Sequence, residues 1–273
     1  MSKNKLIAEK TLAIIEKGEF LKDEHKILVK AEIEQSVSLT FTANPAELEA
    51  LIHQQTTQIT GYTTEIEVKN LSTIAALIQE DSTQKVAILN FASAKNPGGG
   101  FIGGASAQEE SLARSSSLYA SLTKDLTMYH YNKAHTTFLY SDYMIYSPNV
   151  LFWMNDEGTF LESLVKVDVI TAPAPNKGAM LQHKRQNEID AIEEVFKKRM
   201  DKMLALAVSQ QVECLILGAW GCGVFQNDPK KIATYFKEAL EHTYKDRFKK
   251  IVFAIYGRKD LSMLAIFQET FEN

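Results

Sequence analysis

Residues 86–112 read VAILNFASAKNPGGGFIGGASAQEESL. A compact apolar run, VAILNF (86–91), leads into a loop with five glycines inside positions 98–104, and Gln-Glu-Glu then heads an apolar-periodic stretch. Strand, glycine loop, helix is the order in which an open α/β sheet builds a ligand site at its strand ends. Glycine costs conformational entropy on folding, so this density needs a reason. Chemistry supplies one. Without a Cβ in the way, backbone N–H groups can approach an anionic ligand, and the helix start adds a dipole worth about 0.3–1 kcal/mol toward a nearby negative charge.

Working outward, the pattern repeats. VECLILGAW (212–220) runs into a second glycine loop, GAWGCG (218–223), and Asp228-Pro229 supplies an N-cap and a first-turn proline for a helix over 229–243. VDVITAPAP (167–175) and IVFAIYG (251–257) read as strands, and 187–211 and 260–271 as helices. EIEVKNLSTIAALIQE (65–80) reads as a strand and helix of the same sheet. QEESLARSSSLYASL (108–122) predicts one helix, and DYMIYSPNVLFWM (142–154) predicts strand material broken by a turn at Ser147-Pro148-Asn149. Upstream, helices are expected at 5–17 and 45–55, around a segment, HKILVKAEIEQSVSLTF (25–41), with the character of a hairpin or strand pair. The division that follows is an N-terminal, mostly helical accessory extension (1–60) packed on a main α/β domain (61–273).

Composition narrows the function classes. The 273 residues are 45% hydrophobic, enough for a sizeable core, with 30 basic and 34 acidic residues interspersed and a net charge of -4. No basic stripe is present, so general nucleic-acid binding is not expected. Two cysteines, Cys214 and Cys222, offer neither a disulfide framework nor a CxxC pair, and HExxH is absent. His130 and His135 have the wrong spacing to face one metal from one helix. No metal site or cofactor is implied. The first twenty residues read as an amphipathic helix, not a signal peptide, and no apolar run reaches membrane-spanning length. A cytoplasmic protein without membrane association is the expectation.

The glycine loop is not followed by GKS or GKT, which argues against a P-loop nucleoside triphosphatase, and GxGxxG is poorly matched. Glu109 and Glu110 have a plain reading, since acidic residues in a first helical turn often serve only the dipole. The glycines change the weighting. A carboxylate beside a bound phosphate favours its protonated form, and a protonated carboxyl is what a general acid requires.

GGG followed after seven residues by QEE resembles the signature of the poly(ADP-ribose) glycohydrolases, and the flanking text resembles the bacterial type. NFASAKNPGGG, TAPAPN (171–176) and GAWGCGVFQNDP (218–229) are similar to that family's segments in the same order, over roughly residues 60–273. The resemblance implies a macrodomain, a three-layer α/β/α fold with a mixed central sheet. ADP-ribose is expected in a cleft across the strand ends, with hydrolysis of the bond joining ADP-ribose units. It implies Glu110 as the catalytic carboxyl, and Glu109 as the one holding the adjacent sugar. Gly98, Gly99 and Gly100 are implied against the diphosphate and distal ribose. Gln108 belongs to the same signature. Gly221, Cys222, Gly223, Val224 and Phe225 are implied as the second loop, with the Phe225 ring positioning that ribose. The implied partners are ADP-ribose and poly(ADP-ribose) or ADP-ribosylated macromolecules.

The residues agree with one catalytic carboxyl. Most glycosidases flank the scissile bond with two carboxylates on opposite sides, but neighbours in a helical turn differ by about 100° in direction. Asn90 and Asn96 flank the loop and suit either ribose hydrogen bonds or ordinary turns. Cys222 has no histidine partner nearby and reads as a small loop residue. Arg114, four positions after Glu110, reads as a helix-surface ion pair, and Trp153 and Trp220 as packing. Two alternatives stay open: removal of single ADP-ribose groups from protein or nucleic acid, and a binding module without catalysis. A metabolic enzyme for another nucleotide sugar is a third, since the loops alone do not choose.

Overall fold

A computed structural model of the protein describes residues 2–54, 61–80 and 83–272. The chain begins with helix α1 (Lys3–Lys17), a hairpin of β1 (Glu19–Lys22) and β2 (His25–Leu28), helix α2 (Lys30–Leu39), strand β3 (Phe41–Ala43) and helix α3 (Pro45–Gln54). Then come β4 (Glu65–Lys69), α4 (Thr73–Gln79), β5 (Val86–Phe91), α5 (Gln108–Ser115), α6 (Leu118–Leu122) and α7 (Thr127–Ala134). Two long strands, β6 (Met144–Met154) and β7 (Phe160–Ala172), are followed by α8 (Lys177–Gln182) and α9 (Gln186–Ser209). Strand β8 (Cys214–Leu217), α10 (Pro229–Glu241), β9 (Lys250–Ala254) and α11 (Ser262–Phe271) complete it.

Seven strands form one sheet in the order β3-β6-β7-β5-β8-β9-β4. The pairs β7/β5, β5/β8, β8/β9 and β9/β4 are parallel, while β3/β6 and β6/β7 are antiparallel. The sheet is mixed and helices cover both faces, the three-layer arrangement of a macrodomain. Strand β5 shows why. Its side chains alternate between faces, Ala87 and Leu89 meeting the core under α3, α9, α10 and α11, and Val86 and Ile88 the core under α4–α7. All four are buried, as the apolar side chains of a strand covered on both faces are. Burying each branched side chain stabilises the fold by about 1.5–3 kcal/mol.

Three expectations need correcting. The 25–41 segment is not all strand: the hairpin lies at 19–28, and residues 30–39 form α2, whose Ile33 packs against the β6 residues Leu151 and Trp153. The single helix over 108–122 breaks at Ser116 and Ser117. At Ser116 the backbone turns extended, and Ser117 bonds Leu151 of β6, its N–H donating to Leu151 O (2.9 Å) and its Oγ accepting Leu151 N–H (3.0 Å). The turn at 147–149 is a β-bulge within one continuous strand. Asn149 takes φ +54° there, its N–H held by the Asp168 carboxylate at 2.8 Å.

The first 54 residues share in the main sheet as well as packing on it. Strand β3 is its edge, paired with β6 at Phe41↔Tyr146 and Ala43↔Met144. Helix α1 lies against α5, with Ala8, Phe101 and Ala113 in one small core.

Candidate active site

The parallel strands β5, β8, β9 and β4 end along one edge of the sheet, and both glycine loops leave from it. A cleft of about 1160 Å³ follows this edge. Its walls include Gln108, Gly221, Gly223, Val224 and Phe225 among the sequence-derived residues. They also include Asn70, Leu71, Ala254 and Tyr256, which the sequence reading did not single out. A signal for these existed, because they end or directly follow strands that finish on the same edge as the glycine loops.

The two glutamates open α5, where its dipole favours negative charge. Glu109 is only 3% exposed. Its Oε2 accepts the Ser93 N–H at 2.6 Å and its Oε1 the Asn90 side-chain amide at 3.3 Å. Burial pushes its pKa up to about 8, and the charge of Glu110 adds to that; the Ser93, Asn90 and Gly98 hydrogen bonds oppose it. Glu110 is half-exposed and accepts the Gly100 N–H at 3.0 Å. The neighbouring carboxyls therefore differ, one sunk in the protein and un-ionised at neutral pH, the other open and bonded to the glycine loop.

Gly99 shows how tightly that loop is set. Its φ is +59°, and a Cβ there would stand 2.4 Å from Glu110 Oε1 and 3.1 Å from Glu109 Oε2. The backbone lies directly on both carboxyls. Gly98 is buried and Gly100 exposed, and none of the three glycines, nor either glutamate, belongs to the cleft wall itself. They sit beside it, joined through Gln108. The Gln108 side chain clips α5 to the strand end, its Oε1 accepting Phe91 N–H (2.9 Å) and its Nε2 donating to Leu89 O (2.7 Å) and Thr73 Oγ1 (3.2 Å).

The asparagines separate. Asn90 is fully buried, and its amide NH₂ serves Glu109 and Thr171. Asn96 is exposed at the head of the loop, where its carbonyl accepts the Gly99 N–H at 3.0 Å.

The second loop folds onto the 172–175 segment. Trp220 Nε1 donates to Ala172 O at 3.1 Å, and Asn227 Nδ2 to Pro175 O (2.9 Å) and Gly221 O (3.0 Å). A Cβ on Gly221 would meet Ala174 Cβ and Asn227 Nδ2, each at 2.6 Å, so this position also requires glycine. Trp153 and Trp220 are both fully buried. Cys222 is buried and its thiol is pushed up to about 12, chiefly by burial, which leaves it protonated and unsuited to attack. Val224 is 77% exposed, and the Phe225 ring stands at the cleft wall.

Arg114 is not a surface residue. It is buried, its guanidinium donating to Ala105 O and to Ser111 Oγ (3.2 Å), while its own carbonyl accepts from Thr11 of α1. It ties the loop after the glycines to α5, an environment that helical spacing does not reveal.

Comparison with known proteins follows the same lines. Residues 8–155 match the family described as "Microbial-type PARG, catalytic domain". The chain belongs to the microbial-type poly(ADP-ribose) glycohydrolase family. Among solved structures, this glycohydrolase is similar to the poly(ADP-ribose) glycohydrolase of Thermomonospora curvata, at 37% identity and TM-score 0.93, covering 98% of this chain and 99% of that one. A second structure of the Thermomonospora protein, bound to the inhibitor ADP-HPD, matches at 37% identity over 98% of this chain and 99% of that one, with TM-score 0.90. The Deinococcus radiodurans poly(ADP-ribose) glycohydrolase in complex with ADP-ribose matches at 38% identity and TM-score 0.83, over 88% of this chain and 97% of that one. No curated protein sequence matches. The family match begins well before residue 60, where the motif likeness is weaker.

Proposed function

We propose that the enzyme's hydrolysis of the ribose–ribose bonds in poly(ADP-ribose) runs through Glu110, with Glu109 holding the adjoining sugar. The observation that carries this is the contrast between the two. Of the two, Glu110 is the more open to an incoming ligand, and its Oε1 is already bonded to the backbone of the glycine loop. In this reading the loops Gly98–Gly100 and Gly221–Phe225 lie against the diphosphate and distal ribose, their glycines leaving room for close approach. Cleavage breaks the bond from the anomeric carbon to the leaving ribose oxygen. Glu110 delivers a proton to that oxygen as an oxocarbenium-like centre develops, then takes a proton from the water that attacks it. Atoms balance as water plus polymer giving free ADP-ribose and a shortened chain. The ligand's own phosphates stabilise the positive centre.

The ADP-ribose complex of the Deinococcus relative and the ADP-HPD complex of the Thermomonospora relative support ADP-ribose as ligand. Two free, buried cysteines fit a reducing compartment and the cytoplasm, and no described helix is long and apolar enough to cross a membrane. The test is incubation with labelled poly(ADP-ribose) and, in parallel, with mono-ADP-ribosylated protein, products resolved by chromatography. Free ADP-ribose from the polymer is expected. Release from the mono-modified protein alone would overturn the polymer reading.

A further inference from the structure

Between α7 and β6 the chain crosses 135–143 without regular structure, yet this segment is held more firmly than a connection needs. Arg199 of α9, fully buried, spends its guanidinium there: Nη1 donates to Leu139 O (2.8 Å) and Pro173 O (3.0 Å), Nη2 to Tyr140 O (3.1 Å), and Nε to Asp142 (2.8 Å). Lys202 reaches the other Asp142 oxygen at 2.7 Å. Burying an arginine and a lysine around one carboxylate is costly unless every group is paired, and here the carbonyls complete the pairing. At the centre of this network Tyr140 takes φ +58°. The left-handed region is unfavourable for a bulky side chain and persists where its surroundings over-determine it.

What the strained tyrosine faces is Phe225. The two ring centroids are 6.1 Å apart with planes at 49°, within the range of favourable aromatic pairs. Tyr140 is half-buried and does not line the cleft; Phe225 does. The same neighbourhood fixes the Phe225 backbone, through Gly178 N–H to Phe225 O at 2.9 Å. Asn176, next but one in sequence to Gly178, donates to the Tyr140 hydroxyl at 3.3 Å. We propose that Tyr140 is a positioning residue that acts on substrate through Phe225: its ring forms the back wall that sets the Phe225 ring against the ribose, and Arg199 holds Tyr140 in place. The inference rests on the reading of Phe225 as a ribose contact.

The experiment is a double-mutant cycle on ADP-ribose binding by calorimetry, with Tyr140→Ala, Phe225→Ala and the double variant, each checked for folding by thermal melting. Tyr140→Ala is expected to weaken binding by about 2- to 10-fold, to raise KM for poly(ADP-ribose) in step, and to change kcat much less. In the Phe225→Ala background the same substitution should add nothing. Tyr140→Phe, which keeps the ring, should restore most of the lost binding. If Tyr140→Ala does not fold, Tyr140→Leu carries the same cycle. A full Tyr140 effect that persists without Phe225 overturns the inference and leaves the Phe225 reading standing. Phe225→Ala binding as tightly as the parent overturns both.

Discussion

Glu109 and Glu110 share a helical turn and meet different surroundings, and a pH experiment separates them. The Glu109 pKa is raised from 4.5 to about 8, so over that interval the folded protein keeps a proton that the unfolded chain has released. Stability must therefore fall as pH rises from about 4.5 to about 8 and level off above, by on the order of a few kcal/mol. Glu109→Gln removes the dependence. The parent's melting temperature should drop between pH 5 and pH 8.5 by more than that of Glu109→Gln, and parallel curves would contradict the assignment. At Gly99 the conflict is steric. The methyl of Gly99→Ala would strike Glu110 Oε1 before any ligand arrives and would strain a φ of +59°. A stability loss of about 1–3 kcal/mol is expected, with activity falling further than folding explains. Full activity in that variant would remove the loop from the reaction. The glutamates and glycines were legible as residue types in a motif. The inversion of Arg114 from surface to core was not, since its partners Ala105 and Thr11 lie on a loop and a helix that spacing along α5 does not encode.

Elements whose periodicity is matched by their neighbours were readable. Strand β5, helix α9 and helix α10 fall where apolar spacing and caps put them, α10 beginning at Pro229 with the Asp228 carboxylate accepting Lys230 N–H at 2.9 Å. That cap is testable. Asp228→Ala should cost about 1 kcal/mol, lowering the melting temperature by about 2–4 °C while α10 stays helical. An unchanged melting temperature would mean the cap contributes nothing. Elements shaped by a distant strand were not readable. Ser116 and Ser117 continue a helical pattern in sequence but leave the helix to bond β6, which lies some 35 residues on. The 30–39 segment reads as strand by composition, yet one face of α2 is buried against β6.

At the scale of the molecule, the segment read as an accessory extension supplies an edge strand to the central sheet and a helix against α5. Deleting residues 1–44 would expose the core around Trp153 and Leu151 and uncover β6. The truncated chain should aggregate or melt far below the parent, and a truncated protein with parental stability and activity would show that the extension is dispensable. A chelator should do nothing, because among the described residues no three His, Cys, Asp or Glu side chains converge as a metal site would require. Activity lost in EDTA and restored by a divalent ion would contradict this.

The central claim is that the polymer is cut through one open carboxyl on the glycine loop. Its most direct test is single-turnover cleavage of poly(ADP-ribose) by Glu110→Gln, alongside calorimetric titration with ADP-ribose. Glutamine keeps the shape and still accepts the Gly100 N–H, but it has no acidic proton to deliver. The account predicts a rate lower by about 10²–10⁴ with ADP-ribose bound within a few-fold of the parent. Cleavage at the parental rate would contradict it.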